Sequence, residues 1–121
     1  MATIFHIAYR QHWDEAKARG VYAQSTRGRT LEDEGFIHCC AKPAQVDVVA
    51  NSYYAGERDV LVLLIDEGLV QSPVQHDEVA GYDTPLPHIY GPLNVEAVIS
   101  VVPLEVNTAG QFHFEPDTSS G

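Results

Sequence analysis

One run of residues restricts the fold of this chain more than any other feature: residues 59–66, with the sequence DVLVLLID. Alternate side chains of an extended strand point to opposite faces, and both faces of this run are apolar. Such a strand must be covered on both sides, as in the middle of a sheet between other layers. A chain of 121 residues has room for one core and is too short for two ordinary domains. The run therefore predicts a single domain around a central, doubly covered strand.

Two segments in the first half have the pattern of amphipathic helices. Residues 11–19 have one apolar face and precede Gly20, a residue type that commonly ends helices. From Pro43 onward, apolar side chains recur at helical spacing until Gly56, and proline suits the first helical position. Residues 24–34 lie between these segments, are polar, and predict a loop with room for one helical turn.

The remaining segments have strand composition, and most of them lie in the second half. They are residues 4–8, 21–23, 36–40, 73–78, 88–90, 97–106 and 111–115, the last two joined by a turn at 107–110. This balance predicts an α+β domain with two short helices in the N-terminal half and a pair of small, mostly antiparallel sheets. We assign residues 1–116 to that domain and residues 117–121 to a disordered tail.

The charge distribution argues against a nucleic-acid partner. The chain has 17 acidic and 7 basic residues, with a formal net charge of −10. Nucleic-acid binding requires a cluster of lysines and arginines to neutralise phosphates, and this chain has no such cluster. Its one locally basic stretch holds Arg27 and Arg29, a pair sufficient for one phosphate of a small ligand.

Apolar runs and cysteines indicate the compartment. The longest apolar runs are far shorter than the ~20 residues of a membrane span, and the N-terminus lacks the basic-then-apolar order of an export signal. Cys39 and Cys40 are adjacent, and neighbours in an extended chain point apart, so we expect no bond between them. Reduced thiols fit a cytoplasmic protein. From the short apolar runs we expect no membrane partner. The oligomeric state is left open.

Four short segments each bring a histidine or a carboxylate to a predicted strand or strand edge. They are Phe5-His6-Ile7, Phe36-Ile37-His38, Asp77-Glu78 and His88-Ile89-Tyr90. Period-two geometry puts His6 on the face opposite Phe5 and Ile7, a face that need not be core. In PHIYGPL, residues 87–93, His88 and Tyr90 share one face and can enter one pocket. For any single histidine, a structural or solvent-facing role is the commoner one, and several together favour a site.

Other chemistries fit these residues less well. His38, Cys39, Cys40 and His88 are all zinc-ligand types, yet the chain has no CxxC pair and their spacing matches no usual zinc pattern. Neither cysteine is marked as an activated nucleophile. The sequence also contains no GxGxxG, GxxxxGK[ST] or GxSxG motif. We therefore expect no metal centre. We also expect neither nucleotide binding nor esterase chemistry of the kinds that depend on these motifs.

Taken together, the quoted motifs resemble a known family. IFHIA, GFIHCC, QVDVVANSYYAG, DVLVLLID and PHIYGPLNVEAVISVVPL make the chain similar, over residues 4–104, to the family known as domain of unknown function 952. GFIHC together with PHIYGPL is a specific signature of that resemblance. Some relatives carry a glutathione-transferase label, but this chain has no thioredoxin-like start followed by a helical half.

The resemblance implies a fold and a ligand. This family is distantly similar to the ADP-ribosyltransferase superfold, in particular to its tRNA 2′-phosphotransferase and rifampin-modifying branches, whose members hold NAD in a cleft between two small sheets. By position, His6 is then expected at a ribose hydroxyl and His38 against the nicotinamide half. The third position of the superfold, often a glutamate, is left open among Glu78, His88 and Tyr90.

These inferences give one set of expectations for the site. Catalytic roles are expected for His38, His88 and Glu78, and cofactor-binding roles for His6, His38 and Tyr90, with NAD or an ADP-ribose-like molecule as the small-molecule partner. His6, His38, His88 and Tyr90 are expected to converge on one pocket. The alternative is a non-catalytic ligand-binding or interaction module whose histidines are structural, so enzymatic activity is left open.

Overall fold

Residues 2–115 are described by the computed structural model, and they form three α-helices, twelve short β-strands and two 3₁₀ turns. The helices are α1 (Arg10–Arg19), α2 (Leu31–Glu34) and α3 (Pro43–Tyr53). The strands are β1 (Thr3–Tyr9), β2 (Val21–Tyr22), β3 (Gln24–Thr26), β4 (Arg29–Thr30), β5 (Ile37–His38), β6 (Val60–Asp66), β7 (Val74–Asp77), β8 (Leu86–Ile89), β9 (Leu93–Asn94), β10 (Val98–Pro103), β11 (Glu105–Val106) and β12 (Phe112–His113). Met1 and residues 116–121 lie outside the described residues, so the tail expected at 117–121 stays a prediction.

The apolar run forms the middle strand of the central sheet, as predicted. Strand β6 lies between β1 and β10 and is antiparallel to both. Leu63 belongs to the core cluster that contains Trp13 of α1, and Val62 belongs to the cluster that contains Val46 of α3. The sheet is therefore covered by one helix on each face, which explains why β6 is apolar on both sides.

A second antiparallel sheet, in the order β5-β8-β7, continues from the edge of the first. The two sheets meet where Phe5 and Cys40 exchange backbone hydrogen bonds of 2.9 and 2.7 Å. Ile37 and Ile89 face the core beneath α1, so the opposite face of this sheet is left for polar side chains. The predicted α+β class and pair of small antiparallel sheets are confirmed; strands β2 and β9, β3 and β4, and β11 and β12 form additional two-stranded pairs.

The polar stretch 24–34 is more ordered than predicted. It forms the β3–β4 hairpin, whose turn contains Gly28 at φ 72°, followed by the single helical turn α2. Thr30 caps this turn, because its hydroxyl accepts from the Asp33 N–H while the Asp33 carboxylate accepts from the Thr30 N–H. Backbone pairing and capping need no apolar side chains, so hydrophobic periodicity did not reveal these elements.

The segment 97–106, predicted as one strand, is divided in the structure. Strand β10 ends at Pro103, and the N–H of Leu104 donates a hydrogen bond of 2.9 Å to the carbonyl of Val60 in β6. The pairing ends there because β6 itself begins at Val60, so residues after Leu104 have no partner in that strand.

Cys39 and Cys40 lie in the two different cores. Cys39 belongs to the cluster beneath α1 and Cys40 to the cluster beneath α3, and both thiols are buried and free. Burial raises the pKa of Cys40 to about 12 and that of Cys39 well above its ordinary value. Both side chains are therefore small core residues in their neutral thiol form.

The helices of residues 2–115 are all short, and none has the length and apolar composition needed to cross a bilayer.

Candidate functional site

A cavity of about 850 Å³ is bounded by the polar face of the second sheet, the β3–β4 hairpin and α3. Small-molecule pockets typically have volumes of about 300–1,000 Å³, so the cavity has the size of a ligand site. Chemistry-bearing side chains in its wall are Arg27, Arg29, Glu34, Phe36, His38, Asp77, Glu78, His88 and Tyr90.

Strand register brings three of these side chains together. His38 lies directly opposite His88 on the neighbouring strand, and Asp77 is paired with Leu86, two residues before His88. Residues opposite each other in an antiparallel ladder share a face, and so do residues two apart. His38, His88 and Asp77 are therefore on the same face, opposite to that of the core residues Ile37 and Ile89.

Asp77 is the centre of the hydrogen-bond network in this site. Its Oδ2 accepts from the Tyr90 hydroxyl at 2.5 Å and from His88 Nδ1 at 2.8 Å. The hydrogen bond from Tyr90 and, to a smaller extent, the one from His88 hold the pKa of Asp77 below its ordinary value. The hydrogen bond to the same carboxylate raises the pKa of Tyr90. Asp77 is thus a carboxylate shared by two donors.

His88 is buried, with 4% of its surface exposed. The ring of Phe36 stacks on it with centroids 4.3 Å apart and planes inclined by 27°. Burial lowers the pKa of His88, and this outweighs the effect of the hydrogen bond that His88 donates to Asp77, which raises the pKa. The imidazole is therefore neutral, and since Nδ1–H donates to Asp77, Nε2 carries a lone pair. Nε2 is buried and has no hydrogen-bond partner within residues 2–115.

His38 is partly exposed and lies between His88 and the ion pair formed by Glu34 and Arg29. Its ring meets the ring of His88 edge to face at a centroid distance of 5.2 Å. Its Nε2 lies 3.3 Å from Glu34 Oε1, and the other oxygen of Glu34 pairs with Arg29 at 2.9 Å. The hydrogen bonds from His38 and Arg29 lower the pKa of Glu34. One carboxylate therefore links the histidine to the arginine of the hairpin.

His6 lines the inner end of the cavity and is also buried in the core. It shares the face of β1 that packs beneath α1 and is 2% exposed. Its Nδ1–H donates to the carbonyl of His38 at 2.5 Å, and its Nε2 accepts from the Tyr22 hydroxyl at 2.8 Å. Burial lowers its pKa to about 4. Both ring nitrogens are occupied, so the predicted ribose contact is not available to His6 in this arrangement.

Glu78 and Arg27 are at the rim. Glu78 is exposed, and no hydrogen bond of its side chain is found in the described part of the chain. Arg27 donates to Glu57 at 3.0 Å and to the carbonyl of Tyr53 at 3.3 Å, which fastens the hairpin to the end of α3.

The structure thus brings His38, His88 and Tyr90 to one wall, with His6 behind it and Glu78 at its edge. Sequence reasoning missed Asp77 as the shared acceptor and Phe36 as the ring that covers His88. Phe36 could have been found, because it stands two residues before His38 and shares its face of an extended chain. No signal separated Asp77 from Glu78. Among residues 2–115, no group of three or more histidines, cysteines and carboxylates is arranged to hold a metal ion.

The fold and the site define a small α+β protein with a ligand-sized cavity walled by histidine, tyrosine, arginine and carboxylate side chains. Residues 7–101 match the family described as "Protein of unknown function (DUF952)", and the chain belongs to that family. The chain is also similar to protein CC0527 from Caulobacter crescentus, at 26% identity. Its crystal structure covers 93% of this chain and 94% of its own with a TM-score of 0.80. Its solution NMR structure covers 92% and 91% with a TM-score of 0.73. No curated protein matches the chain.

Proposed function

We propose that the cavity binds a small molecule of the NAD or ADP-ribose type, and that His38, His88 and Glu78 act on it. The observation that carries this proposal is the mixed chemistry of one ligand-sized cavity, in which aromatic rings, two arginines and several carboxylates meet. A ligand with matching parts must combine a planar ring, hydroxyl groups and an anionic group. NAD has all three, and ADP-ribose retains the adenine ring, the ribose hydroxyls and the diphosphate.

The charged groups suggest an orientation for such a ligand. A guanidinium group has five N–H donors, and the ion pairs of Arg27 and Arg29 leave some of them free for a diphosphate. Phe36 and Tyr90 offer ring faces beside the carboxylate of Asp77, an environment that favours a cationic aromatic ring such as nicotinamide. The diphosphate end is thus assigned to the hairpin and the nicotinamide end to the second sheet.

The predicted residues receive different roles in this proposal. His38 and Tyr90 contact the ligand, and the exposed carboxylate of Glu78 stabilises positive charge that develops at the ribose carbon. His88 supplies an acid or base group in the wall. His6 is assigned a supporting role, because its Nδ1–H holds the carbonyl of His38 and its Nε2 is occupied by the Tyr22 hydroxyl.

The alternative is a non-catalytic module that binds a ligand or a partner. The observation in its favour is His6, whose saturated hydrogen bonds and burial are those of a structural histidine. A module of this kind binds without turnover, so the two functions differ in their products.

A titration of the full chain separates these outcomes. NAD, ADP-ribose and nicotinamide are added separately while backbone amide shifts are followed. We expect shifts at the cavity wall and an affinity lowered about tenfold by His38→Ala. The matched control is His76→Ala, since His76 is exposed, lies on the same sheet and pairs with Glu67 at 3.1 Å. Absence of shifts at millimolar concentrations of all three compounds would refute the proposal, as would an equal effect of His76→Ala.

A second measurement tests the chemistry. Free nicotinamide is quantified after incubation of NAD with the protein and with Glu78→Gln. Release that Glu78→Gln lowers supports transferase or hydrolase chemistry at the ribose. Binding of NAD without any release of nicotinamide supports the non-catalytic module.

A further inference from the structure

In the described part of the chain, His88 is the side chain of the cavity wall with a buried polar atom that lacks a hydrogen-bond partner. Its Nδ1 is bound to Asp77 at 2.8 Å, while Nε2 is buried and has no partner within the described residues. A buried polar atom without a partner destabilises the folded state, so such atoms in folded proteins call for an explanation. Because His88 belongs to the wall of a ligand-sized cavity, a ligand is the natural source of the missing partner.

The neighbours of His88 fix both its orientation and its protonation pattern. Phe36 stacks on the ring, and the edge of His38 lies against it, so rotation of the imidazole is restricted. A carboxylate accepts hydrogen bonds and does not donate them, so Asp77 requires the proton to be on Nδ1. Tyr90 donates to the same oxygen of Asp77 and thereby holds the carboxylate in place. Nε2 is left as an acceptor in a fixed position.

We propose that Asp77 and Tyr90 are positioning residues that hold His88 in its neutral Nδ1–H form, so that Nε2 accepts a hydrogen bond from an O–H or N–H group of the ligand. The inference rests on the proposed function of the cavity. It specifies that function, because the ligand must present a donor group, such as a ribose hydroxyl or a carboxamide N–H, to this wall. A ligand with only acceptor groups at that position would leave Nε2 without a partner and bind more weakly.

The protonation pattern can be measured without any ligand. In a long-range ¹H–¹⁵N correlation spectrum of the full chain, His88 is expected to have a protonated Nδ1 and an unprotonated Nε2. In Asp77→Asn, whose amide can donate to the ring, a substantial fraction of the Nε2–H form is expected. A merely structural role of Asp77 would alter thermal stability without moving this signature. A wild-type His88 protonated on Nε2, or an identical pattern in Asp77→Asn, would overturn the positioning role.

The acceptor role is tested with ADP-ribose and NAD as probes. Binding is expected to move the Nε2 resonance of wild-type His88 upfield, as happens when a lone pair accepts a hydrogen bond, and Asp77→Asn is expected to weaken binding about tenfold. Asp47→Asn is the matched control, because Asp47 holds His113 through the same kind of contact, Nδ1 to Oδ2 at 2.8 Å, outside the cavity. Its binding affinity should equal that of the wild type.

The outcomes distinguish this inference from the function on which it rests. Failure of both probes and of nicotinamide to bind refutes the proposed function and the acceptor role together, while the ligand-free spectrum still decides the positioning role. Binding that leaves the Nε2 resonance unchanged refutes the acceptor role alone, and a water molecule held in the wall then becomes the partner of that atom.

Discussion

Replacement of His6 by alanine tests whether this histidine supports the fold or contacts a ligand. The substitution removes both hydrogen bonds of the ring and leaves the His38 carbonyl and the buried Tyr22 hydroxyl without their partner. Each buried group left in this way costs about 1–3 kcal/mol, and the space vacated by the ring adds to the loss. We expect the free energy of unfolding to fall by roughly 4 kcal/mol, a large part of the total for a domain of this size.

The assay is urea unfolding followed by the fluorescence of Trp13, which is buried in the core beneath α1. A loss of roughly 4 kcal/mol also corresponds to a fall in Tm on the order of 15 °C. The exposed His76 provides the control, and His76→Ala should change stability by less than about 0.5 kcal/mol. Tyr22→Phe removes only one donor and should cost about 1–2 kcal/mol. A loss below about 1 kcal/mol in His6→Ala would refute the structural assignment.

Acid provides an independent test of the same histidine. The folded-state pKa of His6 is lowered from 6.5 to about 4. Between these two pH values the unfolded chain is therefore protonated at His6 and the folded chain is not. The stability contributed by neutral His6 is complete above pH 6.5 and is lost as the pH falls towards 4. Since one pH unit is worth about 1.4 kcal/mol per proton, the loss across this range is roughly 3 kcal/mol. The difference between wild type and His6→Ala should shrink by that amount, and a difference independent of pH would contradict the buried, neutral ring.

Three further changes have expected outcomes. In Gly91→Ala the new Cβ would lie 2.8 Å from the Cβ of Ser72 and even closer to its hydroxyl, at a φ of 156°, so a loss of about 1–3 kcal/mol is expected in urea unfolding. Asn51→Ala leaves one N–H and one C=O of β12 without their side-chain partner, which should cost about 2 kcal/mol and speed hydrogen exchange there. The pKa of His113 is raised by its bond to Asp47, so its stabilisation is present below pH 6.5 and disappears as the pH rises through the higher folded-state value. The stability difference between wild type and His113→Ala should accordingly be larger at acidic than at alkaline pH.

The parts of the fold that depend on hydrophobic pattern were predictable. The run in β6 predicted a doubly covered strand, because a sheet face that meets α1 or α3 must be apolar. The shared face of His88 and Tyr90 followed from strand periodicity once this segment was recognised as a strand. For this pair the local rule was sufficient.

Features that depend on register or on what covers a face were not predictable. Asp77 and Glu78 are adjacent, and only the pairing of Asp77 with Leu86 decides which of the two points towards His88. For His6, alternation gave the correct face, but only the position of α1 decides that this face is buried. Long-range register and helix placement are tertiary properties, and the spacing of residues in one segment does not contain them.

The two adjacent cysteines can report local opening of the two core layers separately. Cys39 is packed beneath α1 and Cys40 beneath α3, so we expect each sulfur to become more accessible when its own layer opens. Neutral, buried thiols react slowly with alkylating reagents, and the labelling rate therefore measures how often the surrounding layer opens. Comparison of the two rates, each with the other cysteine changed to serine, distinguishes joint from separate opening of the two layers, without any added probe site.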